Sequence, residues 1–371
     1  TRILLATALA MVGLVAARAA EPIKLGFFMS MTGRDASFGE ASLRGARLAV
    51  DEVNAAGGVL GRPLELIVED NRSQAGESAT AAKKLISRDR VVAIIGECSS
   101  ARTLEAVPVA QAAGVPLITP VSTSPKVTQV GDAIFRVCFI DPFQGDVLAT
   151  FARKRLNLKR AALLVDASSP YSTGLAEYFT RTFTALGGEV VVTQKYTGAD
   201  TDFRAQLTAI RAAQPDALFL PGYYVAAGLV AQQAKQLGLT ATLLGGDGFE
   251  APQLLEIGGA ALEGTYYTTH FAAENPDAGS RGFVERFRTR HGTAPNGLSA
   301  LSYDAVKLVA DALSRAKSTE KSALRQALAA TRDFPGVTGR TTLNAQRDAD
   351  KDAAIIAVKA GRLVFVETVR P

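Results

Sequence analysis

Residues 91–119 read VVAIIGECSSARTLEAVPVAQAAGVPLIT. The run at 91–95 is apolar and of strand length, and it gives way after Gly96 to a turn, Cys98-Ser99-Ser100. Residues 101–113 then have the length and apolar spacing of a helix, Gly114 stops them, and a second apolar run fills 115–119. Strand, helix and strand joined by such short turns make a βαβ unit, whose strands lie parallel in a sheet covered by helices.

The same alternation extends on both sides. Upstream, 23–28 reads as a buried strand, and Leu43, Ala46, Val50 and Val53 recur at helical spacing until Gly57-Gly58 stops them. A strand at 64–69 and a helix at 75–88 lead into the opening unit. A second series begins after 134–137 and runs through strands at 161–165, 188–193, 217–220 and 242–244, with amphipathic helices between. The expected fold class is therefore α/β, with two doubly wound parallel-sheet units meeting near residue 140. The end departs from simple succession. A strand at 264–269 precedes helices at 281–291 and 298–317, the second with Tyr303, Val306, Ala310 and Leu313 on one face, and strands follow at 353–359 and 363–369. A chain that returns to its first lobe and then to its second crosses between lobes three times, which makes a hinge beside a cleft.

The chain has 371 residues, 47% hydrophobic and 21% charged. That suits an ordered protein of two domains at roughly 150 residues each and excludes a small disulfide-stapled module. The net charge of +5 is scattered, with no basic run, so no nucleic-acid partner is expected. Two cysteines, Cys98 and Cys138, far apart and without a nearby His, exclude the usual zinc module. Residues 3–17 are apolar apart from Thr7, follow Arg2, and precede the small-x-small pattern Ala17-Arg18-Ala19. Residues 1–19 thus read as a signal peptide, truncated because the chain opens on Thr, and its ~15 apolar residues fall short of the ~20 of a membrane span. Cleavage removes Arg2 and Arg18 and no acid, leaving a net charge of +3. With no Cys at the cleavage site to take a lipid, a soluble, exported protein is expected.

Enzyme signatures are missing: there is no Gly-x-Ser-x-Gly elbow, no phosphate loop and no Gly-x-Gly-x-x-Gly after a strand. No cofactor or metal is expected. His270 and His291 read as structural, the second suiting a helix C-terminus. Asp348, Asp350 and Asp352 imitate the start of a calcium loop, but Ala353 and Lys359 stand where Gly and Glu are needed, so they read as a solvated acidic turn.

In doubly wound sheets ligands bind outside the carboxyl ends of the strands. Ser99 and Ser100 follow one strand and open a helix, so hydroxyls and first-turn N–H groups can meet an anion; N-capping of that helix is the alternative. Val121, Ser122 and Thr123 follow the next strand with further donors. In the second unit Tyr171 and Tyr223 follow strands, and Asp247 lies in Gly245-Gly246-Asp247-Gly248, where the glycines leave a carboxylate free to approach an ammonium. A turn-forming Asp is the other explanation. One lobe thus offers donors for a carboxylate and the other an acid for an amine, and an α-amino acid carries both groups.

The residues that carry a resemblance run the length of the mature chain. They are Met31-Thr32-Gly33 with Phe38-Gly39, the helix from Gly45 to Gly58, Gly96-Glu97-Cys98-Ser99-Ser100, Gly114 to Pro120, Phe135 to Gly145, and Pro221-Gly222-Tyr223-Tyr224. In order and spacing they resemble the periplasmic branched-chain amino-acid binding proteins, the substrate-binding components of ABC importers. The resemblance implies a type I periplasmic-binding-protein fold with a three-strand hinge, lobe 1 being 20–140 and 270–345 and lobe 2 being 141–269 and 346–371. It implies a carboxylate held by Ser99 and by the loop of Val121 to Thr123, an amine held by Asp247, and walls of Tyr171, Tyr223 and Phe38. It also implies a periplasmic monomer that hands its ligand to a membrane permease. Asp247 stands where the best-known members have Glu, and some relatives take amides or aromatic acids instead. The family disulfide is not reproduced: Cys98 is one partner, but no Cys lies near Asn71. A bond from Cys98 to Cys138 and two buried thiols are the alternatives. A ligand-sensing domain of a receptor is the rival function, disfavoured because neither DNA-binding helices nor a signalling module accompanies the fold; an enzyme on this scaffold ranks below it.

Overall fold

The computed structural model describes residues 20–274 and 278–371, so the expected signal peptide at 1–19 lies outside the described residues. The chain begins with β1 (Ile23–Met29), α1 (Ala36–Ala55), β2 (Leu64–Asp70), α2 (Glu77–Ser87), β3 (Ala93–Ile95), α3 (Ser100–Ala112), β4 (Leu117–Thr119) and β5 (Ile134–Arg136). These five strands form one parallel sheet in the order β2-β1-β3-β4-β5. The second series is α4 (Asp141–Thr150), β6 (Arg160–Asp166), α5 (Pro170–Ala185), β7 (Glu189–Tyr196), α6 (Arg204–Ala212) and β8 (Ala217–Leu220). It continues with α7 (Tyr224–Gln236), β9 (Thr242–Gly245), α8 (Gln253–Gly258) and β10 (Tyr266–Thr269).

The chain then goes back. Helices α9 (Ala278–His291), α10 (Gly297–Ala316) and α11 (Lys321–Ala329) and the hairpin β11 (Phe334–Gly336) and β12 (Gly339–Thr341) come next, with α10 packed along α1. Finally β13 (Ala353–Lys359) and β14 (Arg362–Val369) join the second sheet, whose order is β14-β13-β10-β9-β8-β6-β7. Only β13 runs against the rest there, pairing antiparallel with β10 on one side and β14 on the other. Polypeptide therefore passes between the lobes after β5, after β10 and between β12 and β13. All the other strands in each sheet are parallel, so their carboxyl ends share an edge, and the two edges face each other.

Local sequence explains most boundaries. Helix α1 buries Leu43, Ala46, Val50 and Val53, and it stops where Gly57 and Gly58 take φ of +99° and +77°, with the Gly58 N–H returning to the Val53 carbonyl (2.9 Å). The strand expected from 91 starts instead at Ala93, because the Val91 N–H still bonds to Leu85 at the end of α2 (3.2 Å). Helix α11, which buries Leu324 and Leu328 one turn apart, and the β11–β12 hairpin are additions to the elements expected from the sequence.

One sequence expectation is overturned outright. Asp348 is not solvated: it is 6% exposed, and its Oδ1 accepts from Arg136 Nε (2.5 Å) and Thr128 Oγ1 (2.8 Å). Arg136, fully buried at the end of β5, also donates to the carbonyls of Ser122 (2.6 Å) and Ser124 (2.8 Å). A buried ion pair with each guanidinium nitrogen hydrogen-bonded thus ties the third crossover to the loop after β4. Among the described residues no helix is long and apolar enough to cross a membrane, and no cluster of acids, His and Cys could hold a metal ion.

Candidate functional site

The loops after β3, β4, β8 and β9 meet across the gap between the sheets. Glu97, buried in the first of them, is the hub on the lobe 1 side. Its Oε1 accepts from Ser30 Oγ (2.7 Å), Asn71 Nδ2 (3.1 Å) and Arg102 Nε (3.3 Å), and its Oε2 from the Ser99 N–H (2.5 Å). Asn71 is thereby hydrogen-bonded where the related disulfide would have its second cysteine.

That network decides what the predicted serines do. Ser99 stands at the N-cap of α3 but makes no side-chain cap; its Oγ instead receives the Tyr223 hydroxyl from the opposite lobe (3.1 Å). The capping alternative is therefore replaced by an interlobe contact. Ser100 Oγ accepts the Ser124 N–H (3.2 Å), and Ser122 Oγ donates to the Glu97 carbonyl (2.8 Å). Both side chains are engaged within lobe 1, where the loop backbone after β3 and β4 takes them as partners, and neither lines the pocket between the lobes.

Phe38, Val121, Thr123, Tyr171, Tyr223 and Asp247 do come together. They line an enclosed pocket between the lobes, with Cys98 and Leu298 completing the apolar side. Tyr171 and Tyr223 are parallel at 5.5 Å between ring centroids, and Phe38 meets Tyr223 edge-on at 5.6 Å. About 10 Å³ is left between them, room for a single water, so an amino acid enters by moving these side chains apart, and here the lobes stand in contact. Two further contacts hold them there: the Tyr224 hydroxyl donates to the Arg34 carbonyl (2.8 Å), and the Arg34 guanidinium donates to the Gly198 carbonyl.

Asp247 is held firmly rather than freely. Its Oδ1 accepts from the Tyr171 hydroxyl (3.0 Å) and Gln144 Nε2 (3.0 Å), and its Oδ2 lies 3.0 Å from His270 Nε2. The flanking glycines serve closeness, not mobility. A Cβ at Gly246 would stand 2.4 Å from the Tyr171 hydroxyl oxygen, and one at Gly248 2.5 Å from the Gly222 carbonyl oxygen. Burial, helped by the Asp247 charge, lifts the Tyr171 phenol well above its ordinary range, so it remains a donor. Burial also pushes Asp141, near Asp247, up to about 8, which makes it largely a neutral acid at neutral pH.

Sequence reading missed Gln144 and His270. Gln144 lay within a quoted segment, and its amide serves Asp247 twice, its Oε1 also accepting the Asp247 N–H (2.7 Å). His270, read from the sequence only as structural, is buried at the second crossover with its ring 3.8 Å from that of Phe139. Nothing in the local sequence links it to Asp247. The two cysteines are free: Cys98 Sγ lies 3.4 Å from Ser42 Oγ, and Cys138 Sγ donates to the Ser122 carbonyl (3.4 Å). Burial raises both thiols, Cys138 to about 12.

Residues 22–362 match the family model described as periplasmic binding protein. The Leu/Ile/Val-binding protein BraC3 of Rhizobium johnstonii is 30% identical over 349 residues, 93% of this chain and 94% of that one. The crystal structure of the leucine binding protein LivK of Thermotoga maritima superimposes with a TM-score of 0.90 at 39% identity, covering 94% of this chain and 99% of that one. The substrate binding protein LivJ of Streptococcus pneumoniae, solved in complex with isoleucine, also gives 0.90, at 34% identity over 95% and 100%. With its two parallel-sheet lobes, its triple crossover and a match of this length, the chain belongs to the periplasmic binding protein family.

Proposed function

We propose that this chain is the extracytoplasmic capture component of an ABC importer, closing over a small α-amino acid, branched-chain or other aliphatic, and presenting the closed form to a membrane permease. The lobes that move are 20–140 with 270–345, and 141–269 with 346–371. The protein acts in the periplasm as a monomer and makes or breaks no bond in its ligand. The observation that carries this reading is the pairing, at one enclosed pocket, of Thr123 from lobe 1 with Asp247 from lobe 2, ringed by Phe38, Tyr171 and Tyr223. The ligand carboxylate meets Thr123 and the Ser99 hydroxyl, and the ammonium meets Asp247. Because the ligand touches both lobes only when they are closed, its affinity is differential binding to that state.

Asp247→Asn tests the amine subsite. Removing one member of a desolvated charge pair costs ~2–5 kcal/mol, or about 30- to 5,000-fold in affinity. After unfolding and refolding to strip any co-purified ligand, calorimetric titration should show wild type preferring leucine or isoleucine over the deaminated acid, and the variant losing most of that preference. A wild-type preference for the deaminated acid would instead support a second reading, an amide or aromatic carboxylate as ligand. That reading draws on the three side-chain partners Asp247 already has, which leave its charge partly answered within the protein.

A further inference from the structure

A second acid stands behind the wall of the pocket. Asp141 opens α4, and its N–H donates to the carbonyl of Thr123 (3.0 Å), which lines the pocket from lobe 1. The Gln144 amide nitrogen lies between the two acids, 3.0 Å from Asp247 Oδ1 and 3.5 Å from Asp141 Oδ1. Asp141 is fully buried, is not part of the pocket lining, and makes no hydrogen bond through Oδ2 among the described residues. It therefore does not touch a ligand, and whatever it does to one it does by charge, through Thr123, Gln144 and Asp247.

Two buried carboxyl groups that share one amide do not both carry charge cheaply. The Arg136 guanidinium, whose charge reaches Asp141, is bound to Asp348, and His270 lies against Asp247. A helix N-terminus favours a carboxylate. Burial is nevertheless the largest effect on Asp141, and together with the Asp247 charge it outweighs Thr123 and Arg136 and raises the group up to about 8. Burial pushes the Tyr171 phenol and the Cys138 thiol, the other groups that feel its charge, higher still, so neither titrates in that range. We propose that Asp141 is a specificity-determining residue of the amine subsite, holding a proton while no amine is bound beside Asp247 and yielding that proton to solvent when an ammonium takes the place. A proton thus stands in for the ammonium when a ligand brings only a carboxylate, and a second negative charge faces the ammonium when the ligand is an amino acid. This rests on the amino-acid reading above.

Leucine and its deaminated analogue isocaproate share the carboxylate and the side chain and differ in the amine, so the ratio of their affinities isolates it. In calorimetric titrations of refolded full-length mature protein from about pH 6.5 to about pH 8.5 the preference for leucine should rise about 5-fold or more, because leucine binding leaves Asp141 with fewer protons than isocaproate binding does. Asp141→Asn should show one preference across the range. Glu250→Gln and His270→Gln change the other titratable groups beside Asp247, and each should keep the rise. A wild-type preference independent of pH, a rise that survives in Asp141→Asn, or one that disappears in Glu250→Gln or His270→Gln overturns the assignment and leaves the amino-acid reading standing. The wild-type, Glu250→Gln and His270→Gln profiles decide the matter if Asp141→Asn does not fold. If leucine does not bind, the amino-acid reading falls, and the assignment with it.

Discussion

Glu250, in the turn after β9, accepts the Gly297 N–H at the start of α10 (2.8 Å) and the Thr269 hydroxyl, and so joins lobe 2 to lobe 1. Both bonds favour the carboxylate, but burial is the larger effect and pushes Glu250 up to about 7 from an ordinary 4.5. The folded protein therefore holds a proton that the unfolded chain releases between about 4.5 and about 7. Stability from this group is present at low pH and lost as the pH rises through that window. Glu250→Gln keeps an oxygen for the Gly297 N–H, turns its amide N–H toward the Thr269 hydroxyl as donor, and abolishes the titration. Relative to wild type it should gain stability from pH 4.5 to pH 8, by on the order of 1–3 kcal/mol, in urea unfolding followed by circular dichroism. A difference that stays constant across that range would show that burial does not shift the Glu250 carboxyl. Nothing in its local sequence marks this residue, because its environment is built by Thr269 and Gly297, distant in the chain. Arg136 and Asp348 were illegible for the same reason, while Asp247 was legible because a strand end beside glycines is a local pattern.

At the scale of elements, the periodic segments were readable and their partners were not. Helices α1 and α10 each carry an apolar face, but only their crossing explains Gly45, whose Cβ would stand 1.9 Å from the Ser299 carbonyl oxygen. Two opposed effects act on Gly45→Ala. Helix propensity favours alanine by about 1 kcal/mol, whereas forcing two backbones apart costs about 1–3 kcal/mol or more. The contact is with backbone, which cannot rotate aside, so packing wins and a lowered urea midpoint is expected. A raised midpoint would mean that α10 slides without cost. The hairpin strands β11 and β12 escaped the sequence because three residues, without a flanking apolar run, carry too little pattern to read.

For the whole molecule the consequence is motion. The closed arrangement rests on a few interlobe hydrogen bonds at Ser99, Arg34 and Glu250, so a ligand in the cleft adds a large fraction of what holds the lobes together. Small-angle scattering should show a smaller radius of gyration for the refolded protein at saturating leucine than without it, and an equal radius would contradict hinge closure. Length, the strand-helix alternation and the placement of hydroxyls, tyrosines and an acid after strands determined the fold class, the two lobes and the loops that meet between them, since each is a local signal repeated along the chain. Tertiary structure alone decided that Ser100 and Ser122 support the loops, that Gln144 and His270 grip Asp247, and that one oxygen of Asp35, Oδ1, is left without a donor. Those outcomes depend on which side chains distant in sequence become neighbours, and burial then fixes whether a polar atom finds a partner.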